Sequence, residues 1–350
     1  MSPVTTAESL AHPRLHTGRG PLLRMPPDAG STLERAVRRA WEKGDLLRLT
    51  RGVYLPVSVW AAVPPWDRYA LSVAAVALTR PTAVFTGTTA AHLHGLPLPD
   101  TPDAVFIRAA TRGHPGRSPL ARRPTSPGVG EGVPVPPSLA HTWNRPTVPG
   151  ARAQQVRIRT AAGDDLGSAV ADPLVTVHLQ LAASLPLRES IIPLDRLARI
   201  SPGPSGIWAR DHGGLPKGRR AQERFQRACA FVDPRSESPG ESLSRVLIHE
   251  LGFVPPVPQW NVHAGDGAFV GRVDFWWPDV QVAGEFDGIT KYDVQMHDSE
   301  EERRRAIRHE KEREVRLRRV VRDLGRWTWA DLRSPARLEA ELVRVGVPRR

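Results

Sequence analysis

Apolar and polar positions show no period over the first thirty residues, so residues 1–30 are expected to form a loose tail, with order beginning at Ser31. From there Leu33, Val37, Ala40 and Trp41 recur at helical spacing. Ser31 stands as the cap, Glu34 three places on completes a capping box, and Gly44 is the stop. The run DLLRLTRGVYL, residues 45–55, then gathers β-branched and aromatic residues about Gly52 and predicts a short, wing-like strand pair. An apolar helix over 66–79, a strand over 83–86 and a short helix over 88–94 complete a unit spanning 31–110.

The pattern fades over 111–150 into Pro, Gly and Arg, and this stretch is expected to be a basic linker without a core. A strand at VRIR (156–159) and helices over 173–183, about 194–200 and about 217–230 make 151–232 a helical connecting region. The last unit, 233–350, opens on SPGESLSRVLIHELG. Ser238 caps this helix, Pro239 takes its first position, Glu241 reaches back to the cap and Gly252 closes it, while Leu243, Val246, Leu247 and Leu251 form the buried stripe. Capping alone accounts for Glu241; a role in a metal site is the other reading.

Next, GAFVGRVDFWWPDVQVAGEFDG predicts two strands about the Pro278-Asp279 turn, the second ending at Gly288. If Trp277 and Val280 flank a two-residue turn, Asp274 lies opposite Ala283 and diagonal to Glu285, with Asp287 further along the same face. Three carboxylates on one face repel each other and resist desolvation unless a cation neutralises them. Mg²⁺ or Mn²⁺ answers that cost, since such an ion takes one or two carboxylates and keeps waters, one of which can become a nucleophile. Lys291 is placed to orient that water or to contact a phosphate. Ser299 and Glu302 open a charged helix to about residue 319, whose arginines 303, 304, 305 and 308 pair with neighbouring acids.

Composition narrows the partners. Lys and Arg number 49 against 37 acidic residues, a net charge of +12 that favours polyanions, with DNA the default. Prolines number 35 of 350, about twice the usual ~5%, in keeping with long irregular segments. Cys229 is the single cysteine, so there is no internal disulfide and no cysteine-based zinc finger, and a reducing cytoplasm fits. No apolar run is long enough to span a bilayer and no signal pattern opens the chain, so no membrane partner is expected. His92 and His94, two apart, do not share a helix face, and neither a phosphate-binding Gly-Lys-Ser/Thr loop nor a GxSxG turn is present.

The strings DPRSESPGESLSRVL, PVPQW, VDFWWPD and GEFDGITKY, within residues 233–332, resemble proteins related to the very-short-patch repair endonucleases of the PD-(D/E)xK superfamily. That resemblance implies a restriction-endonuclease-like α/β domain with a mixed sheet flanked by helices. It matches Asp274 and Glu285 to metal-binding acids and Glu241 to an acid on the first helix. The position two after Glu285 is Asp287 where the superfamily usually has lysine, and Lys291 follows later. LLRLTRGVYL and TGTTAAHLHGL, within residues 31–100, resemble the winged-helix start of AbiEi-type antitoxins, which implies a winged helix-turn-helix-like unit with Arg48 and Arg51 near the wing, facing DNA or a cognate toxin. The expectation is therefore an α+β multidomain DNA-binding protein with a Mg²⁺-dependent endonuclease domain, serving defence, repair or toxin–antitoxin regulation. Its rival is an antitoxin-like regulator that keeps the nuclease fold as a scaffold. Convergence of the acids on an open basic groove favours the enzyme, and their pairing with arginines favours the regulator.

Overall fold

The computed structural model describes residues 15, 19–109, 115–121, 132–142, 146–201, 216–288 and 300–350. The chain divides into two units, Met1–Leu181 with Trp208–Lys217, and Ala182–Ile207 with Gly218–Arg350. It is an α+β protein with mixed sheets, and no helix among the described residues is long and apolar enough to cross a membrane.

In the first unit, α1 (Ser31–Lys43) ends at Gly44, whose φ of 85° needs the left-handed freedom of glycine. Its N-terminus corrects the expected capping box: Gly30 is the cap, Ser31 is already helical, and no side chain caps the first turn. Order also begins before Ser31. β1 (Leu23–Arg24) pairs with β3 (Val53–Pro56), which pairs with β2 (Leu46–Thr50), and Leu15, Leu23, Val37, Ala40 and Leu46 share one core. A two-residue strand is too short to leave a period, which is why the pattern assigned this stretch to a tail.

After α2 (Val57–Ala62), the buried helix α3 (Pro65–Thr79) packs on a six-stranded sheet. Its strands are β4 (Val84–Phe85), β5 (Ala104–Arg108), β6 (Gly116–Pro119), β7 (Ser138–Thr142), β8 (Gln154–Arg159) and β9 (Asp165–Ala171), in the order β6-β7-β5-β4-β9-β8. The supposed linker thus supplies two strands, with Leu139 and Ala140 buried in β7. Exposed edge strand β6 has no apolar face to betray it, and prolines dominate around both strands. Helix α4 (Gly87–Leu93) follows Thr86, whose hydroxyl donates to the buried carboxylate of Asp172 at 2.6 Å. Gln180 and Arg108 also bind that carboxylate, so the buried charge is compensated.

The unit division falls inside α5 (Leu174–Ser184). Helices α6 (Leu187–Ile200) and α7 (Arg219–Phe231) pack with α8 (Pro239–Glu250), and Ile191, Ile192 and Val246 make their shared core. The expected connecting region is accordingly divided, residues 151–181 going with the first unit and 182–207 and 218–232 with the second, and α6 starts seven residues before the pattern placed it because it carries Pro193 in its interior. The sheet of this unit runs β10 (Val257–His263), β11 (Phe269–Trp277), β12 (Val282–Asp287) and β13 (Asp323–Thr328), antiparallel except for the parallel pair β12–β13. Leu247 of α8, Leu332 of α10 (Trp329–Arg333) and Leu342 of α11 (Pro335–Arg344) join Phe275, Trp277 and Trp327 in one core. Leu317 of α9 (Glu300–Arg318) joins Val262, Ala283 and Leu324 in another. Trp327 is buried and donates to Ser244 Oγ at 2.8 Å, a packing role.

Candidate active site

The β11–β12 hairpin corrects the expected register. A 3-10 turn over Pro278–Val280, closed by Gln281 in the left-handed region (φ 50°), replaces the two-residue turn, and the ladder runs Trp277↔Val282, Trp276↔Ala283, Phe275↔Gly284. The shift is two residues, an even number, so each side chain keeps its face and Asp274 moves from diagonal to directly across from Glu285. At that point the strands part: the Phe286 N–H donates to Asp274 Oδ2 at 2.9 Å rather than continuing the ladder. A cleft of about 600 Å³ opens there, lined by Asp274, Glu285 and Asp287 together with Arg272, Arg313, Arg316 and Arg326.

Glu241 comes to the same place from the first turn of α8. Ser238 caps this helix by accepting from the Glu241 N–H at 3.2 Å, while the Glu241 carboxylate accepts from the Glu237 N–H, one residue before the cap, at 2.9 Å. That oxygen, Oε2, also accepts from Gln259 Nε2 at 2.8 Å, and the same amide nitrogen donates to Asp274 Oδ1 at 3.2 Å. Gln259 lies on β10 with φ 53°, a left-handed conformation that costs a non-glycine residue about 1 kcal/mol. Its other amide atom, Oε1, is buried and accepts no hydrogen bond from the described residues. Burial raises the Asp274 carboxyl to about 6, Glu241 and Glu285 add to the rise, and the N–H groups of Phe286 and Gln259 oppose it.

Glu285 is in a different electrostatic state. Arg313 Nη1 of α9 meets Oε1 at 2.8 Å, and Arg326 Nη2, in register on β13, meets Oε2 at 2.7 Å, so both oxygens of this buried carboxylate face guanidinium groups. Asp287, half-buried at the end of β12, lines the same cleft. Lys291 and Ser299 lie outside the described residues. In the first unit Arg51 is exposed at the β2–β3 turn and Arg48, half-buried, pairs across to Tyr54. Spacing along the chain missed Gln259, Arg272, Arg313 and Arg326, although Gln259 stands in the quoted PVPQW string.

Among the described residues no group of three or more His, Cys, Asp or Glu side chains is placed to hold a metal. A hard divalent ion needs one or two carboxylates, with water and carbonyl oxygens completing its shell. Glu241 and Asp274 satisfy that count, because one amide nitrogen now bridges them, and the unpaired Gln259 Oε1 would turn a third oxygen to the same point if the amide rotated. Both oxygens of Glu285, by contrast, are already occupied.

No family model and no solved structure matches the chain. Two uncharacterised proteins of Mycobacterium tuberculosis, from strains CDC 1551 / Oshkosh and ATCC 25618 / H37Rv, are 37% identical to it over 73 residues, which is 21% of this chain. The match spans 27% of the length of each of these curated relatives.

Proposed function

We propose that the chain is a DNA-binding protein whose second unit is a divalent-metal-dependent endonuclease of the PD-(D/E)xK kind. The observation that carries this reading is Asp274, raised to about 6 beside Glu241 and Glu285, in an open cleft that four arginines, 272, 313, 316 and 326, also line. Carboxylates so placed are destabilised until a cation joins them, and the surrounding guanidinium groups suit a phosphodiester. Asp274 and Glu241 are the residues that would hold Mg²⁺ or Mn²⁺, with the Gln259 amide oxygen alongside. The bound ion would supply an activated water and charge stabilisation on a phosphoryl oxygen. Glu285 then serves by holding Arg313 and Arg326 at the cleft, where their positive charge attracts the phosphate. Arg326 offers a cation in register with Glu285, where the next same-face residue on β12 is Asp287 and not lysine. The first unit, read as a winged helix, would place Arg48 and Arg51 against DNA or a cognate toxin.

The test is incubation of purified protein with plasmid, short duplex and single-stranded DNA in Mg²⁺ or Mn²⁺, beside EDTA. Metal-dependent cutting supports the nuclease. One observation favours the antitoxin-like regulator instead, the double arginine clamp on Glu285; DNA binding without cutting on every substrate would move the reading there.

A further inference from the structure

The first unit holds a second cavity, of about 530 Å³, within the range of small-ligand sites. Trp66 and His92 line it beside Leu93, Leu96, Pro97 and Leu98: the Trp66 ring lies parallel to the His92 imidazole at 5.8 Å and 13°, and the fully buried Tyr69, outside the lining, meets that imidazole edge-on at 5.0 Å. Burial lowers His92 to about 4, so the ring is neutral at physiological pH and packs as an uncharged plane. Asp67, almost fully buried, uses Oδ1 to accept the Ala161 N–H at 2.7 Å, which fixes the β8–β9 turn against the start of α3. The rim is cationic because the alternation VRIR buries Ile158 and turns Arg157 and Arg159 to the other face of β8. Arg157 is paired with Asp165, whereas Arg159 is exposed and has no ion-pair partner among the described residues.

We propose that this cavity binds a nucleotide, with the base stacked along the Trp66–His92 wall and the phosphate held by Arg159. Planar heterocycles gain from offset stacking on such a wall, and a guanidinium free of a competing carboxylate binds phosphate through paired N–H donors. A duplex hides its bases within the stack, so the occupant is either a free mononucleotide or an unpaired nucleotide of a strand. The site stands apart from the nuclease reading, since none of its residues belongs to the second unit.

The experiment is calorimetric titration of the full chain in EDTA with dAMP, dGMP, dTMP and a five-nucleotide single strand, repeated on Arg159→Ala and Trp66→Leu. Saturable binding is expected, weakened about tenfold by each substitution, as for the loss of one charge-assisted contact or one stacking surface. Saturation by mononucleotides identifies the free ligand, and binding of the strand alone, with the same loss in both variants, identifies an unpaired nucleotide. Because Arg159 is exposed, its variant keeps the fold and decides the matter if Trp66→Leu does not fold. Absence of binding by all four probes, or binding that Arg159→Ala leaves unchanged, overturns the proposal.

Discussion

Replacing Asp274 by asparagine removes the carboxyl whose ionisation the cleft resists most. Raising it from 3.8 to about 6 corresponds to about 3 kcal/mol against the ionised folded state at neutral pH. The folded value lies above the unfolded one, so the proton stabilises the fold: that contribution is complete below the unfolded value and is lost as pH rises through about 6. Asparagine mimics the protonated acid. Its Oδ1 can accept the Phe286 N–H, and its amide N–H can donate to Gln259 Oε1 once that amide turns over, which gives up the Gln259 hydrogen bond to Glu241 at a cost of about 1–2 kcal/mol. Asp274→Asn is therefore expected to be more stable than the wild type by about 1–2 kcal/mol at pH 7.5, with the advantage gone at pH 4.5. Urea unfolding in EDTA at the two pH values, followed by tryptophan fluorescence, measures both numbers. A variant less stable than the wild type at pH 7.5, or an advantage that does not change with pH, would refute the reasoning.

Three further outcomes are expected. Glu285→Gln leaves Arg313 and Arg326 facing a neutral amide and should cost about 2 kcal/mol in the same unfolding assay; no change would mean that the two pairs contribute nothing. Gly284→Ala would bring a methyl to 2.6 Å from the Trp327 ring and 3.1 Å from that of Trp277, and should destabilise the second unit by about 1–3 kcal/mol, read from the urea midpoint. If the first unit meets the DNA backbone, Arg51→Ala should weaken duplex binding equally across unrelated sequences and lower the salt slope by about 1, measured by fluorescence anisotropy over a range of salt concentrations.

What the sequence disclosed follows from which signals are local. The face shared by Asp274, Glu285 and Asp287 was legible because strand period is two, and the longer turn displaced the register by two residues. α8 was legible from its cap, its proline and its closing glycine, which are local chemistry. Gln259 reaches the acids through a backbone kink on another strand, and Arg313 and Arg326 arrive from elements 28 and 41 residues beyond Glu285, so spacing around the acids carried no trace of them. The strands β6 and β7 escaped because short segments among prolines have neither a helical nor a two-residue period to read.

The most direct test of the central claim is the rate of plasmid cleavage in Mn²⁺ by the wild type, Asp274→Asn and Glu241→Gln, with folding checked by circular dichroism. The wild type is expected to cut, EDTA to abolish the cutting, and either substitution to reduce it at least a hundredfold, as for loss of a transition-state interaction. Folded wild-type protein that binds DNA without cutting it, or cutting that survives both substitutions, would contradict the claim.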